Sequence, residues 1–317
     1  MSLTFDIIIF HTWCPDGVTG LWCAHHFAKD NKFKKLGIVA GGVPYGNFTD
    51  KKIIFIDVSP DINWLLKNLK VANKVTILDH HKSTFIELKE NEKVLSIFNN
   101  LELILDIKRS GCQIAWDYFF PNIDRPWFIN YVADQDLWTW KLQNSKEINT
   151  VLSFNNYIDQ NNLSKLDLLL SYDKVQKNQL INEGKQILTF KNKILSDELE
   201  LSDEGKFILG DIIYSIQILG AITSDTKSEL GNMLSEKLLN NGSLPDFGVV
   251  WDYDPRYNEW KLSLRGNSIS PDLSIIAKQL GGGGHVLASG ITLNENPFGK
   301  LIIIEYESEL DFESDLS

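Results

Sequence analysis

Apolar positions in the first half of the chain come in short, unbroken runs. Each run stops at a residue able to bind a cation. Asp6-Ile7-Ile8-Ile9-Phe10 ends at His11, Lys52-Ile53-Ile54-Phe55-Ile56 at Asp57, and Lys74-Val75-Thr76-Ile77-Leu78 at Asp79. Continuous β-branched runs of this length predict strands buried on both faces of a parallel sheet. Helical patterns over residues 18–28 and 61–69 separate them, the second opened by Ser59-Pro60. This alternation is the rhythm of a doubly wound α/β domain.

Further on, residues 111–120 and 124–140 read as helical, and the proline-free stretch 172–196 as a connecting helix. The last third predicts strands at 206–209, 247–252, 260–265 and 301–306. It predicts helices at 228–239 and 271–280, with Pro271 in a first turn. The fold class is therefore α/β with two domains. Residues 1–170 form a doubly wound, mainly parallel domain, 171–200 a helical linker, and 201–317 a smaller α/β domain with a mixed sheet. The alternating acids from Glu307 to Asp315 read as a repelling edge strand or a frayed end.

The length of 317 residues agrees with two domains, and 43% hydrophobic residues with a sizeable core. No apolar run approaches a membrane span, and the first residues lack the basic start of a signal peptide. Three cysteines make no disulfide framework and fit a reducing, cytoplasmic setting; Cys23 and Cys112 read as core residues. A net charge of −11 argues against a clamp on long duplex DNA but leaves a small phosphorylated substrate open. No membrane partner is expected, and a homodimer is allowed.

In open α/β sheets, ligands bind outside the carboxyl ends of the strands. The ends at His11, Asp57 and Asp79-His80 should therefore share one cleft. Cys14 and Asp16 follow the first of them, and Asp134-Gln135-Asp136 comes later. Singly, an aspartate after a strand has an ordinary explanation as a helix cap or turn residue. Gathered together, so many carboxylates require cations to neutralise them. Paired divalent metals would do so and would activate water for in-line phosphoryl displacement. His25 and His26 read as an ordinary helix face.

The set His11-x-x-Cys14-x-Asp16-Gly17, Asp57, Asp79-His80-His81 and Asp134-x-Asp136 resembles the DHH phosphoesterase superfamily. Gly281-Gly282-Gly283-Gly284-His285 with Ala288-Ser289-Gly290 resembles the motif of its associated C-terminal domain. The match spans nearly the whole chain, and is nearest to the branch of nano-RNases and small-nucleotide phosphodiesterases. The resemblance implies a metal-binding catalytic domain at 1–170 and a substrate-binding domain at 201–317. It implies two divalent ions of Mn²⁺ type. His11, the Cys14 position and Asp57 would hold one; Asp16, Asp57, His80 and Asp134 would hold the other, with Asp57 bridging. His81 would face the phosphate and Asp79 would orient a histidine. Asp136 is assigned less firmly.

Cys14 departs from the family pattern, which has an aspartate there and one residue fewer after the histidine. A thiolate ligand would favour Zn or Fe, and a thiol that does not ligate would weaken the first site. Gly282, Gly283, Gly284 and His285, with Arg265 and Arg109, are the expected substrate-binding groups, since glycine N–H groups can approach an anion closely. The implied substrate is a short oligoribonucleotide or dinucleotide, with a nucleoside 5′-monophosphate as product. The second domain would measure substrate length. Cyclic (di)nucleotides and adenosine bisphosphate are the rival substrates, and a nucleotide-binding regulatory module with impaired catalysis is the rival of another class. The glycine motif argues against an inorganic pyrophosphatase.

Overall fold

The computed structural model describes residues 3–29, 32–221 and 226–304. The expected feature at the acidic C-terminal tail lies outside them, as do the last two residues of the strand expected at 301–306. The chain divides into two compact units, residues 1–192 and 193–317.

The first unit holds a five-stranded sheet of β1 (Ile7–His11), β2 (Lys34–Ile38), β3 (Lys52–Ile56), β4 (Lys74–Asp79) and β5 (Leu101–Leu105). The spatial order is β2-β1-β3-β4-β5, and every pair is parallel. Alternation along the strands sends residues to two separate cores. Ile8, Phe10, Ile54, Ile56 and Leu78 pack with α1 (Pro15–Ala28); Ile7, Ile9, Ile53, Phe55 and Ile77 pack with α2 (Ile62–Asn68) and Leu88. Helices thus cover both faces, which is why the central strands carry no polar alternation. The chain runs from β1 outward to β2, then returns past β1 to β3. That reversal opens a crevice between the carboxyl ends of β1 and β3.

The remaining helices of this unit are α3 (Lys82–Glu90), α4 (Glu92–Leu95), α5 (Gly111–Phe119), α6 (Trp127–Asp136), α7 (Ser145–Phe154) and α8 (Ser164–Leu170). The division between the units falls inside α9 (Lys174–Leu199). Cys23 and Cys112 are fully buried.

The second unit has a seven-stranded mixed sheet: β6 (Asp203–Leu209), β7 (Ile212–Gly220), β8 (Phe247–Asp254), β9 (Glu259–Arg265), β10 (Gly283–His285), β11 (Ala288–Leu293) and β12 (Ile302–Ile304). Its order is β10-β11-β9-β8-β7-β6-β12, with β7 and β8 the one parallel pair. Helices α10 (Lys227–Glu236) and α11 (Leu273–Gln279) accompany it.

Two local expectations change. Pro271 does not occupy the first turn of α11: Asp272 is the N-cap, its carboxylate accepting from Ser274 N at 3.1 Å. The glycine run is not an open loop either. Gly283 and Gly284 pair with Gly290 and Ser289 in a tight hairpin. A Cβ on Gly282 would meet Gly290 O at 2.1 Å, and one on Gly284, at φ +139°, would meet Ala288 O at 2.5 Å. Close strand approach is one reason for these glycines.

Candidate metal centre

His11 closes β1, Asp57 follows β3, and Asp79 closes β4 ahead of His80 and His81. Parallel register therefore brings all three strand ends to the crevice. Asp57 lies at its centre. Its Oδ2 is 3.2 Å from His11 Nδ1 and its Oδ1 is 3.0 Å from His80 Nε2. Two groups of candidate ligands share it: His11, Asp57 and His81, and Asp16, Asp57 and His80. Within each group the ligand atoms lie within 4.8 Å of one another. Asp57 adopts a left-handed backbone, φ +59°, while its N–H donates to Leu78 O at 2.9 Å. A non-glycine residue at that φ marks a site where the fold imposes the geometry.

Asp16 enters from the first turn of α1. Its carboxylate accepts from Gly111 N at 2.5 Å and Cys112 N at 3.0 Å, at the start of α5. A helix N-terminus favours a negative group there. Glycine at 111 is what permits the approach, since a Cβ would sit 2.4 Å from Asp57 Cβ and 2.9 Å from Asp16 Oδ2. Gly17 allows a similar approach to His11 O. The sequence reading used Gly111 only as part of a helix start.

Asp79 is fully buried and takes bonds from five donors or potential donors. Ser59 Oγ and Thr84 Oγ1 donate to Oδ2, both at 2.7 Å. Oδ1 accepts from the His80 and His81 backbone N–H groups and lies 2.7 Å from His81 Nδ1. The contact to Nδ1 orients the His81 ring. Thr84 was not singled out from the sequence and Ser59 only as part of a helix start, since nothing there distinguishes a buried hydroxyl from a surface one.

Asp134 and Asp136 separate sharply. Asp134 was expected among the ligands, but its carboxylate is taken up by its own loop. It accepts from Thr139 Oγ1, from Lys141 N at 2.9 Å and from Leu142 N at 3.0 Å. Asp136, at the end of α6, is the one that reaches the cluster: its Oδ2 is 3.4 Å from His80 Nε2 and, although buried, has no hydrogen-bond partner.

The electrostatics follow from the crowding. Burial and repulsion from Asp57 raise Asp16 to about 6, and burial with repulsion from Asp16 raises Asp136 to about 8. Burial works against a charge on Asp57 as well, yet its bonds to His11 and His80 hold it well below the usual carboxylate range. Asp79 is lowered against its burial by His81; in turn Asp79 raises His81 to about 9. The half-buried Cys14 thiol, at the N-cap of α1, is pushed up by burial and by Asp57, Asp136 and Asp16. It belongs to neither ligand group. Two carboxyls that would rather hold protons, and one orphaned buried oxygen, fit a place for divalent cations.

The expected substrate-binding residues are divided between the two units. Arg109 is engaged by Asp106 Oδ2 and Asp117 Oδ2, each at 2.7 Å. Arg265, at the end of β9 in the second unit, donates to Ser228 Oγ at 2.8 Å, and burial lowers it to about 10. His285 ends β10, where its carbonyl accepts from Ser289 Oγ.

No family model matches the chain. An uncharacterised protein, R106, of Acanthamoeba polyphaga mimivirus is 29% identical over 308 residues, covering 91% of this chain and 68% of that one. Among solved structures, a pGpG-specific phosphodiesterase, PggH, from Vibrio cholerae is similar at 10% identity and TM-score 0.45, covering 92% of this chain and 93% of its own. RecJ in complex with Mn²⁺ from Thermus thermophilus is similar at 13% identity and TM-score 0.46, covering 91% of this chain and 49% of its own.

Proposed function

We propose that this chain is a metal-dependent phosphodiesterase that hydrolyses short oligoribonucleotides or dinucleotides to nucleoside 5′-monophosphates. The observation that carries the reading is Asp57, whose two oxygens each address a different histidine and which belongs to both ligand groups. That is the disposition of a carboxylate bridging two cations. His11 would complete one position. Asp16, His80 and Asp136 would complete the other, Asp136 taking the place the sequence reading gave to Asp134. Bound divalent ions, of Mn²⁺ type by the DHH resemblance, would supply Lewis acidity toward water and phosphoryl oxygen.

The chain's own residues do the rest. Asp79 fixes the tilt of His81 through Nδ1 and, against burial, raises its pKa to about 9 in the metal-free protein. His81 can then donate from Nε2 to a phosphoryl oxygen as charge builds there. The short-substrate reading follows the resemblance to the nano-RNase and small-nucleotide branch, and the net charge of −11 supports it by arguing against a clamp on long duplex DNA.

The test is a panel incubated with purified protein and Mn²⁺: dinucleotides, RNAs of about five and about twenty residues, cyclic dinucleotides and adenosine bisphosphate. The reading expects metal-dependent release of monophosphate, fastest from dinucleotides and lost in Asp57→Ala. Equal or faster degradation of the long RNA would overturn the short-substrate part. Binding without hydrolysis of any panel member would replace the enzyme with a regulatory nucleotide-binding module.

A further inference from the structure

Ten non-glycine residues among those described have a left-handed backbone. Six are asparagine or aspartate, which tolerate it, and one is Lys29 at a helix end. The other three are Trp13, Trp138 and Trp140, at φ +61°, +53° and +50°. All three lie in loops that leave the metal centre: Trp13 is two residues past His11, and Trp138 is two past Asp136. Of the nine tryptophans in the chain, only Trp13 and Trp138 are exposed, at 78% and 39%.

Trp13 is the extreme case. An indole left in water contributes almost nothing to the core, and its backbone is one that glycine or asparagine would hold with less strain. The loop is nevertheless fixed. Gln160 Oε1 accepts from Thr12 Oγ1 at 2.6 Å and from Trp13 N at 3.3 Å, while Gln160 O accepts from Lys35 Nζ at 2.9 Å. A large, exposed flat ring carried on a fixed loop two residues past His11 has a natural use, because every nucleobase offers a π face.

We infer that Trp13 is a base-stacking residue, binding the nucleobase next to the phosphate held by the Asp57 centre. The inference rests on the proposed phosphodiesterase reading and names the residue that would separate nucleotides from simple phosphate esters or polyphosphates. Stacking of this kind is tolerant of base identity, so Trp13 sets affinity more than sequence preference.

The experiment compares 5′-phosphorylated diadenylate with an analogue of equal charge lacking both bases. Trp13→Ala is expected to raise KM for the diadenylate roughly tenfold with kcat within about twofold, and Trp13→Phe to recover most of the loss. The abasic analogue should be turned over equally by wild type and variant. Trp13→Gly should melt at or above the wild-type temperature while showing the same rise in KM, which a merely structural role would not give. Equal loss on both substrates, or none on either, overturns the inference. If wild type hydrolyses neither, the enzyme reading fails by itself, and equilibrium binding of labelled diadenylate with Mn²⁺ decides. Binding that weakens about tenfold in Trp13→Ala but not Trp13→Phe upholds stacking. No binding, or equal binding, removes it.

Discussion

Two clusters of aspartates in the first unit differ in how their charge is balanced. Asp106, Arg109, Asp117 and Arg125 form a closed network, with Arg109 joining Asp106 to Asp117 and Arg125 meeting Asp117 through both Nε and Nη2. Each carboxylate has a guanidinium partner, and both are held below their ordinary range, against burial at Asp117. Around the strand ends, Asp16, Asp57, Asp79 and Asp136 meet, among the described residues, histidines, hydroxyls, a thiol and backbone N–H groups, and two of them are driven upward. A closed network is complete as it stands. The open one needs a further positive charge, and that difference separates a structural ion pair from a metal centre.

The sharpest way to break this contrast is to remove the shared carboxylate. Asp57→Ala should lower Mn²⁺-dependent hydrolysis by on the order of 10³-fold and reduce bound Mn²⁺, measured by calorimetry on the same preparations. Wild-type metal content in the variant would mean that Asp57 bridges nothing.

Gly111→Ala tests the same centre through packing. The added methyl must displace Asp57 or Asp16, so activity should fall about 10²-fold and stability by about 1–3 kcal/mol in urea unfolding. An active, equally stable variant would show that the close approach of α5 is incidental.

Proton linkage gives a third comparison, made on metal-free protein. Asp16 and Asp136 have folded values of about 6 and 8, above their unfolded ones, and His81 is raised to about 9. A raised folded pKa contributes stability that is complete below the unfolded pKa and is lost as pH rises through the folded one. Metal-free protein should therefore melt on the order of 5 °C lower at pH 9 than at pH 5. Added Mn²⁺ should abolish most of that slope. A slope unchanged by Mn²⁺ would place the uncompensated charge somewhere other than the cation site.

The sequence carried much of this plan. The strand-ending residues were visible because buried parallel strands have no polar alternation, so an acid or histidine at their tips stands out. Edge strands were not visible for the converse reason: β2 is Lys-Lys-Leu-Gly-Ile with only Ile38 buried, and β5 is partly exposed throughout. Asp134 and Asp136 could not be told apart by spacing. Both lie in the last turn of α6, and the turn through Trp138 and Trp140 brings Thr139, Lys141 and Leu142 back onto Asp134. The glycines at 282 and 284 stood out in the sequence, but not as hairpin contacts, which depend on Gly290 and Ala288 across the strand.

That pair of aspartates supplies the smallest and most selective prediction. Asp134→Ala removes an acceptor shared by a hydroxyl and two backbone N–H groups, so the loop should lose about 1–2 kcal/mol, with Mn²⁺ binding retained. Asp136→Ala removes a repelled carboxyl whose Oδ2 has no hydrogen-bond partner, so metal-free protein should be as stable as wild type or more so at pH 8, while Mn²⁺ binding weakens. The two variants differ by two positions on one helix end, yet stability and metal affinity should move in opposite patterns. If Asp134→Ala instead loses Mn²⁺ while Asp136→Ala keeps it, the ligand is Asp134, and the loop around Thr139 must open before a cation can bind.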